Sequence, residues 1–66
     1  MPKKIRQLKA ALRKAGWLEV AGGKGSHTKW QHSRVARTLM LSGRDGDDAK
    51  RYQARDVENA VREGTS

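Results

Sequence analysis

A chain of 66 residues forms one domain at most, because a polypeptide of this size buries only about 60% of the surface that its unfolded form exposes. Fifteen Lys and Arg oppose seven Asp and Glu, and the resulting net charge of +8 favours a polyanionic partner such as nucleic acid. The absence of Cys excludes a disulfide framework and a Cys-based zinc finger, and favours a cytoplasmic protein. No apolar run approaches the ~18 residues that span a bilayer. We expect a single domain over residues 1–66, without signal peptide or membrane anchor.

The large apolar side chains are numerous enough for one core between two layers, but not for a deep enclosed pocket. We expect the core to draw on Ile5, Leu8, Leu12, Trp17, Leu18, Val20, Trp30, Val35, Leu39, Met40, Leu41, Tyr52, Val57 and Val61. Because the chain contains no Phe, the two tryptophans are needed for bulk. We interpret both as core residues, with the stacking of RNA bases as the alternative.

Helical periodicity occurs near both ends of the chain. Apolar residues at three- and four-residue intervals predict an amphipathic helix over residues 3–15, with Gly16 after it as a left-handed cap. The segment QARDVENAVREG has the same periodicity. It predicts a second helix that starts between Gln53 and Asp56 and closes on Gly64, followed by a frayed Thr-Ser tail.

Three strand patterns lie between the helices. They are WLEVA (17–21), HTKWQH (27–32) and RVARTLMLS (34–42), with GGKGS as the first connection and HSR as the second. Alternation puts Thr28, Trp30 and His32 on one face of the second strand and His27, Lys29 and Gln31 on the other. The composition of GRDGDD (43–48) predicts a loop after the third strand.

The order of these elements predicts the fold. Tight connections between consecutive strands indicate an antiparallel meander. Both helices need an apolar surface, which only one face of the sheet can supply. We therefore predict an α+β, two-layer α-β-β-β-α domain in which two helices pack on one face of a three-stranded antiparallel sheet, while the opposite face is open to solvent.

His27 is the candidate catalytic residue. It follows the glycine-rich turn and lies between Lys24 and Lys29, and histidine is the side chain that exchanges protons near neutral pH. RNA suits such a site, because its own 2′-hydroxyl can attack the adjacent phosphate. The enzyme then needs only to move a proton and to stabilise phosphate charge. Composition and spacing alone leave a structural histidine as the alternative.

The glycine-rich turn predicts contact with phosphate, but no nucleotide or metal site. GGKGS matches neither the Walker pattern nor GxGxxG, yet its glycines let a phosphate approach the backbone while Lys24 and Lys29 supply positive charge. Ser26 either fixes the turn or contacts a phosphate. Because His27 and His32 fall on opposite faces of a strand and the aspartates cluster elsewhere, we expect no metal and no cofactor.

Two motifs carry a resemblance to a known family. They are LRKAGW, in which the first helix ends in a Gly-Trp pair, and GKGSHTKWQH, which holds Gly25, Ser26 and His27 as a signature, with Trp30 and His32 beyond it. Together they resemble the HicA toxins of bacterial toxin-antitoxin systems, over nearly the whole chain. Two features depart from that family: proline does not follow His32, and SGRDGDDAKRYQ replaces a segment that contains proline and histidine.

The resemblance implies a fold like that of double-stranded-RNA-binding domains and the activity of an mRNA interferase, an endoribonuclease that cleaves mRNA without a metal. It implies that His27 is the catalytic histidine. We expect Lys24, Gly25, Ser26 and Lys29 to bind the RNA phosphate. The resemblance also implies a HicB-type antitoxin, encoded beside the toxin, that masks the active surface.

Two other functions fit the residues alone. The chain could be a noncatalytic module that binds double-stranded RNA by its shape, with a steep salt dependence. A DNA-binding partner of an operon regulator is the weaker alternative, because no helix-turn-helix pattern is present.

Overall fold

The computed structural model describes residues 3–65 as two helices and a three-stranded sheet. In chain order the elements are α1 (Ile5–Lys14), β1 (Leu18–Val20), β2 (His27–His32), β3 (Val35–Ser42) and α2 (Arg51–Thr65). This order and the antiparallel pairing confirm the predicted α+β fold. Thr65, expected in a frayed tail, belongs to α2, and Ser66 lies outside the described residues, as do Met1 and Pro2. Neither helix has the length and apolar character that a membrane span requires within residues 3–65.

Strand β2 lies in the middle of the sheet, between β1 and β3. The helices cover one face. The other face, here called the open face, carries Leu18, Val20, His27, Lys29, Gln31 and Met40. The alternation predicted for β2 is confirmed, since Trp30 is buried beneath the helices and His27 is exposed.

The core fills the space between the helices and the covered face of the sheet. Its buried residues are Ile5, Leu8, Leu12, Ala15, Trp17, Trp30, Leu39, Leu41, Val57 and Ala60. Both tryptophans are fully buried, which confirms their interpretation as core residues.

The predicted core was wrong for Val20, which lies half-buried on the open face, and for three exposed large apolar residues. Leu18 is 69% exposed, Met40 54% and Tyr52 58%. Trp17 occupies the core immediately before β1, so the alternation of the extended chain places Leu18 on the open face. Met40 lies on that face too, since it pairs with Lys29, and Tyr52 lies on an exposed side of α2.

Gly16 ends α1 as predicted. Its φ of +93° is a left-handed conformation that glycine adopts without steric cost. The Trp17 amide donates to the Leu12 carbonyl at 2.9 Å, and the Gly16 amide donates to the Arg13 carbonyl at 3.1 Å. This pair of hydrogen bonds is a Schellman motif, which turns the chain directly from α1 into β1.

Helix α2 begins at Arg51, before the predicted start between Gln53 and Asp56. The Gln53 side-chain oxygen accepts a hydrogen bond from the Lys50 amide at 2.9 Å, so a glutamine expected near the helix start lies inside the first turn and caps it. The helix also continues through Gly64, where it was expected to close.

The predicted loop after β3 packs against the start of α1. The carbonyls of Asp47 and Asp45 accept hydrogen bonds from the amides of Ile5 and Arg6, at 2.9 and 3.2 Å. Lys9 forms an ion pair with Asp45 at 2.6 Å, and its hydrogen bond lowers the pKa of that carboxyl. The loop therefore supplies hydrogen-bond acceptors for the first turn of α1. It also connects this turn to the start of α2, which follows the loop in the chain.

Candidate functional site

His27 occupies the first position of β2, directly after the glycine-rich turn. Its amide donates to the Lys24 carbonyl at 2.9 Å, across a turn in which Gly25 has a φ of +59°. The side chain is exposed on the open face. The turn thus fixes the backbone of His27 and leaves its imidazole accessible to a ligand.

Gly23 lies against the carbonyl side of His27. A Cβ atom placed on Gly23 would stand 2.3 Å from the His27 carbonyl oxygen and 3.2 Å from the Thr28 Cα atom. A Cβ atom cannot lie 2.3 Å from a carbonyl oxygen without a steric clash. Only a glycine at this position allows the turn to close over the start of β2, a steric role distinct from the phosphate contact predicted for the turn.

Two lysines near His27 carry charge that no acidic side chain neutralises within residues 3–65. The ion pairs of that part of the chain use Lys4, Lys9, Arg13 and Arg37. Lys29 lies on the open face with His27, and its side chain passes Gly22 at 3.4 Å from the Cβ position of that glycine. Lys24 is exposed within the turn. Both ammonium groups are therefore available to an anion near the imidazole.

The end of β3 completes the site on the other side of His27. The Gly43 amide donates to the Ser26 carbonyl at 3.2 Å, and Ser42 pairs directly with His27 across the ladder. The Gln53 amide nitrogen donates to the Ser42 carbonyl at 2.7 Å and to the Ser42 hydroxyl at 3.1 Å. Neither Ser42 nor Gln53 has a local sequence signal for this site, because only the register of the sheet brings Ser42 opposite His27, and Gln53 reaches Ser42 from α2.

His32 has a structural position. Its Nδ1 atom accepts a hydrogen bond from the Arg34 amide at 2.9 Å, so Nε2 carries the proton and donates to the Ala15 carbonyl at 3.0 Å. Its ring meets the Trp17 ring edge-on, with 5.6 Å between centroids. His32 therefore joins β2 to the end of α1, and lies on the face of the sheet opposite to His27.

One groove of the described residues lies away from the candidate site. It has a volume of about 470 Å³ and lies in the helical layer, where Leu8, Ala11, Ala54 and Val57 contribute to its walls. His27 lies on the other face of the sheet. Within residues 3–65, no group of three His, Cys, Asp or Glu side chains is arranged to hold a metal ion. The imidazole thus stands on an open surface with lysines around it.

Comparison with known proteins decides the family. A model described as the HicA toxin of bacterial toxin-antitoxin systems matches residues 5–61. The chain belongs to the HicA toxin family. It is therefore a toxin of a toxin-antitoxin system, as the resemblance implied. No curated protein and no solved structure gives a significant match.

The HicA match includes every residue of the candidate site. It extends from the first residue of α1 into the last turns of α2, and so covers the glycine-rich turn, His27, Ser42 and Gln53. The roles of these residues in catalysis and RNA binding stay predictions. The geometry brings Lys24, Lys29 and the turn to one end of the open face, close to His27.

We expect Gly23→Ala to displace the backbone of His27, because the added methyl group overlaps the His27 carbonyl oxygen. The overlap should lower the free energy of unfolding by about 1–3 kcal/mol and shift the amide resonances of His27 and Thr28. Gly46→Ala is the matched control, because nothing lies within 4 Å of its Cβ position. Equal shifts of the His27 amide in the two variants would mean that the turn relaxes without moving His27.

Proposed function

We propose that this toxin is an endoribonuclease that cleaves mRNA without a metal ion, and that His27 transfers a proton in the reaction. The observation that carries the proposal is the exposed imidazole on a fixed backbone, with two lysines nearby that form no ion pair among residues 3–65. Membership of the HicA family supports it, since the resemblance implies an mRNA interferase.

RNA supplies its own nucleophile in this reaction. Attack of a 2′-oxygen on the adjacent phosphorus forms one P–O bond and breaks the bond to the 5′-oxygen, leaving a 2′,3′-cyclic phosphate and a 5′-hydroxyl. One proton leaves the 2′-oxygen and one reaches the 5′-oxygen. His27 transfers one of these protons and water the other. A rate that rises with pH in the unaltered chain but not in His27→Ala would identify His27 as the general base, and a rate that falls with pH in the unaltered chain alone would identify it as the general acid.

The phosphate gains negative charge as the new bond forms, and the groups around His27 suit that charge. We assign the ammonium groups of Lys24 and Lys29 and the backbone amides of Gly25 and Ser26 to phosphate binding. The open face also suits a polymer, because a long RNA can lie across a surface where it could not enter a closed pocket. The net charge of +8 favours the approach of such a polyanion.

We infer that a HicB-type antitoxin neutralises the toxin by covering the open face. Leu18 and Met40 expose apolar surface on that face, beside the positive charge of Lys29. A partner with apolar and acidic side chains would complement both features. A domain of this size also gains stability when a partner binds only its folded state. With mRNA as substrate, we assign the toxin to the cytoplasm.

The experiment that tests the proposal is incubation of the purified chain with a long single-stranded RNA of mixed sequence, with and without EDTA. A second RNA of the same sequence carries 2′-O-methyl groups throughout. We expect cleavage of the first RNA to persist in EDTA and to leave 2′,3′-cyclic phosphate ends. The second RNA should stay intact, because its 2′-oxygens cannot attack.

Other outcomes of this experiment contradict particular parts of the proposal. Cleavage that EDTA abolishes would make the reaction metal-dependent. Cleavage of the 2′-O-methyl RNA would exclude the 2′-oxygen as nucleophile. Salt-sensitive binding without cleavage of either RNA would favour the noncatalytic RNA-binding module.

A further inference from the structure

Ser42 lies directly opposite His27, in the position where side chains of adjacent strands come closest. In an antiparallel ladder, hydrogen-bonded pairs alternate with pairs whose backbone groups point away from each other. The Gly43 amide donates to the Ser26 carbonyl, so the next pair, His27 and Ser42, is of the second kind. The Cα atoms of such pairs are about 4.5 Å apart, closer than in the hydrogen-bonded pairs.

Gln53 forms hydrogen bonds with the Ser42 carbonyl and hydroxyl groups, which make no hydrogen bond to His27 in this arrangement. Its amide nitrogen donates to the Ser42 carbonyl at 2.7 Å and to the Ser42 hydroxyl oxygen at 3.1 Å. Its side-chain oxygen accepts a hydrogen bond from the Lys50 amide at 2.9 Å. Gln53 is 6% exposed, so a buried amide with all its polar atoms engaged joins the first turn of α2 to the strand residue beside His27.

The hydroxyl group of Ser42 can still donate a hydrogen bond. It receives a hydrogen bond from Gln53, and it donates none to any residue between 3 and 65. A serine hydroxyl offers one donor and two acceptor sites. Since Gln53 fills an acceptor site, the rotation of the hydroxyl is restricted while its donor stays available.

We propose that Ser42 is a further catalytic residue, whose hydroxyl donates a hydrogen bond to a non-bridging oxygen of the RNA phosphate beside His27, and that Gln53 is the positioning residue that orients it. The inference rests on the proposed endoribonuclease function. It adds a neutral donor on the β3 side of the phosphate to the lysines on the turn side. A donor held in place before the reaction begins stabilises charge that develops in the transition state.

The test compares Ser42→Ala with Ser42→Thr in the RNA cleavage assay, because threonine keeps the hydroxyl. We expect Ser42→Ala to lower kcat about 10- to 100-fold, the effect of losing one hydrogen bond to a charged group, with little change in KM. Ser42→Thr should cleave at close to the rate of the unaltered chain. Ser33→Ala is the matched control, in the exposed turn at the other end of β3.

Gln53→Glu tests the positioning role. The carboxylate can still accept from the Lys50 amide but cannot donate to Ser42. We expect a fall in kcat similar to that of Ser42→Ala, and little further loss when the two changes are combined, because they remove the same interaction. Gln7→Glu adds the same charge at an exposed helix start and keeps its acceptor for the Lys4 amide, so it controls for charge.

The outcomes separate this inference from the function on which it rests. An unaltered chain that cleaves no RNA overturns both. An unaltered chain that cleaves RNA, together with a folded Ser42→Ala variant of equal kcat, overturns the role of Ser42 alone. Equal losses in Ser42→Ala and Ser42→Thr would also overturn it, because they would mean that the hydroxyl is not what the reaction needs. Full additivity of Ser42→Ala and Gln53→Glu would overturn the positioning role of Gln53.

Discussion

His27→Ala is expected to lower the rate of RNA cleavage by at least about 100-fold and to leave the fold intact. General acid-base catalysis by one side chain contributes about 10²- to 10⁴-fold to a rate, and the alanine variant loses that whole contribution. The imidazole is exposed and has no hydrogen-bond partner of its own among residues 3–65, so its removal costs no core contact. The measurement is the initial rate of cleavage as a function of pH, for the unaltered chain and the variant, with circular dichroism to check the fold.

RNA binding by the same variant distinguishes a catalytic role of His27 from a binding role. We expect His27→Ala to bind 2′-O-methyl RNA nearly as tightly as the unaltered chain does, since Lys24 and Lys29 still hold the phosphates. Asn59→Ala, on the exposed side of α2, is the control and should cleave normally. A His27→Ala variant with undiminished cleavage would exclude His27 as the proton-transfer group. A variant that lost binding and cleavage equally would make His27 a binding residue.

Local patterns in the sequence were sufficient for the architecture. The periodicity of α1 and the alternation in HTKWQH are properties of neighbouring residues. They predicted the buried face of α1 and the residues that share each face of β2. Gly16 could be recognised as the end of α1 because a helix of this kind needs a left-handed residue there. His27 and the lysines could be selected from composition and spacing, and the family resemblance gave the histidine its predicted role.

Contacts between distant residues could not be read in the same way. Ser42 belongs to the site only because β2 and β3 pair in one particular register, and Gln53 reaches it only because α2 begins earlier than its apolar pattern suggested. Leu18 and Met40 were assigned to the core because apolar residues usually lie there. The sequence has no local feature that says which face of a sheet remains uncovered, and their exposure follows from the positions of Trp17 and the helices.

Trp17→Ala is expected to remove most of the free energy of unfolding, so that up to about half of the protein is unfolded at room temperature. Replacing a buried tryptophan by alanine costs about 3–5 kcal/mol, while small domains are stable by about 5 kcal/mol or little more. Trp17 has no exposed surface, and its indole nitrogen donates to the Ala60 carbonyl at 3.0 Å. Its ring also meets His32, and Gly64 packs so closely that an added Cβ would lie 3.0 Å from the indole nitrogen. Losing the indole therefore opens a cavity where β1, β2 and α2 meet.

Urea unfolding followed by circular dichroism measures this effect, and Leu18→Ala is the neighbouring control. Leu18 is 69% exposed, so its replacement should change the free energy of unfolding by no more than about 0.5 kcal/mol. Similar midpoints for Trp17→Ala and the unaltered chain would contradict the packing described for the core. Trp17→Ala should also lose RNA cleavage, but in proportion to the unfolded fraction, and a HicB-type partner that binds only the folded toxin should restore part of the fold. His27→Ala should lose cleavage without unfolding, so the two variants together separate the residues that maintain the domain from the residue that carries the chemistry.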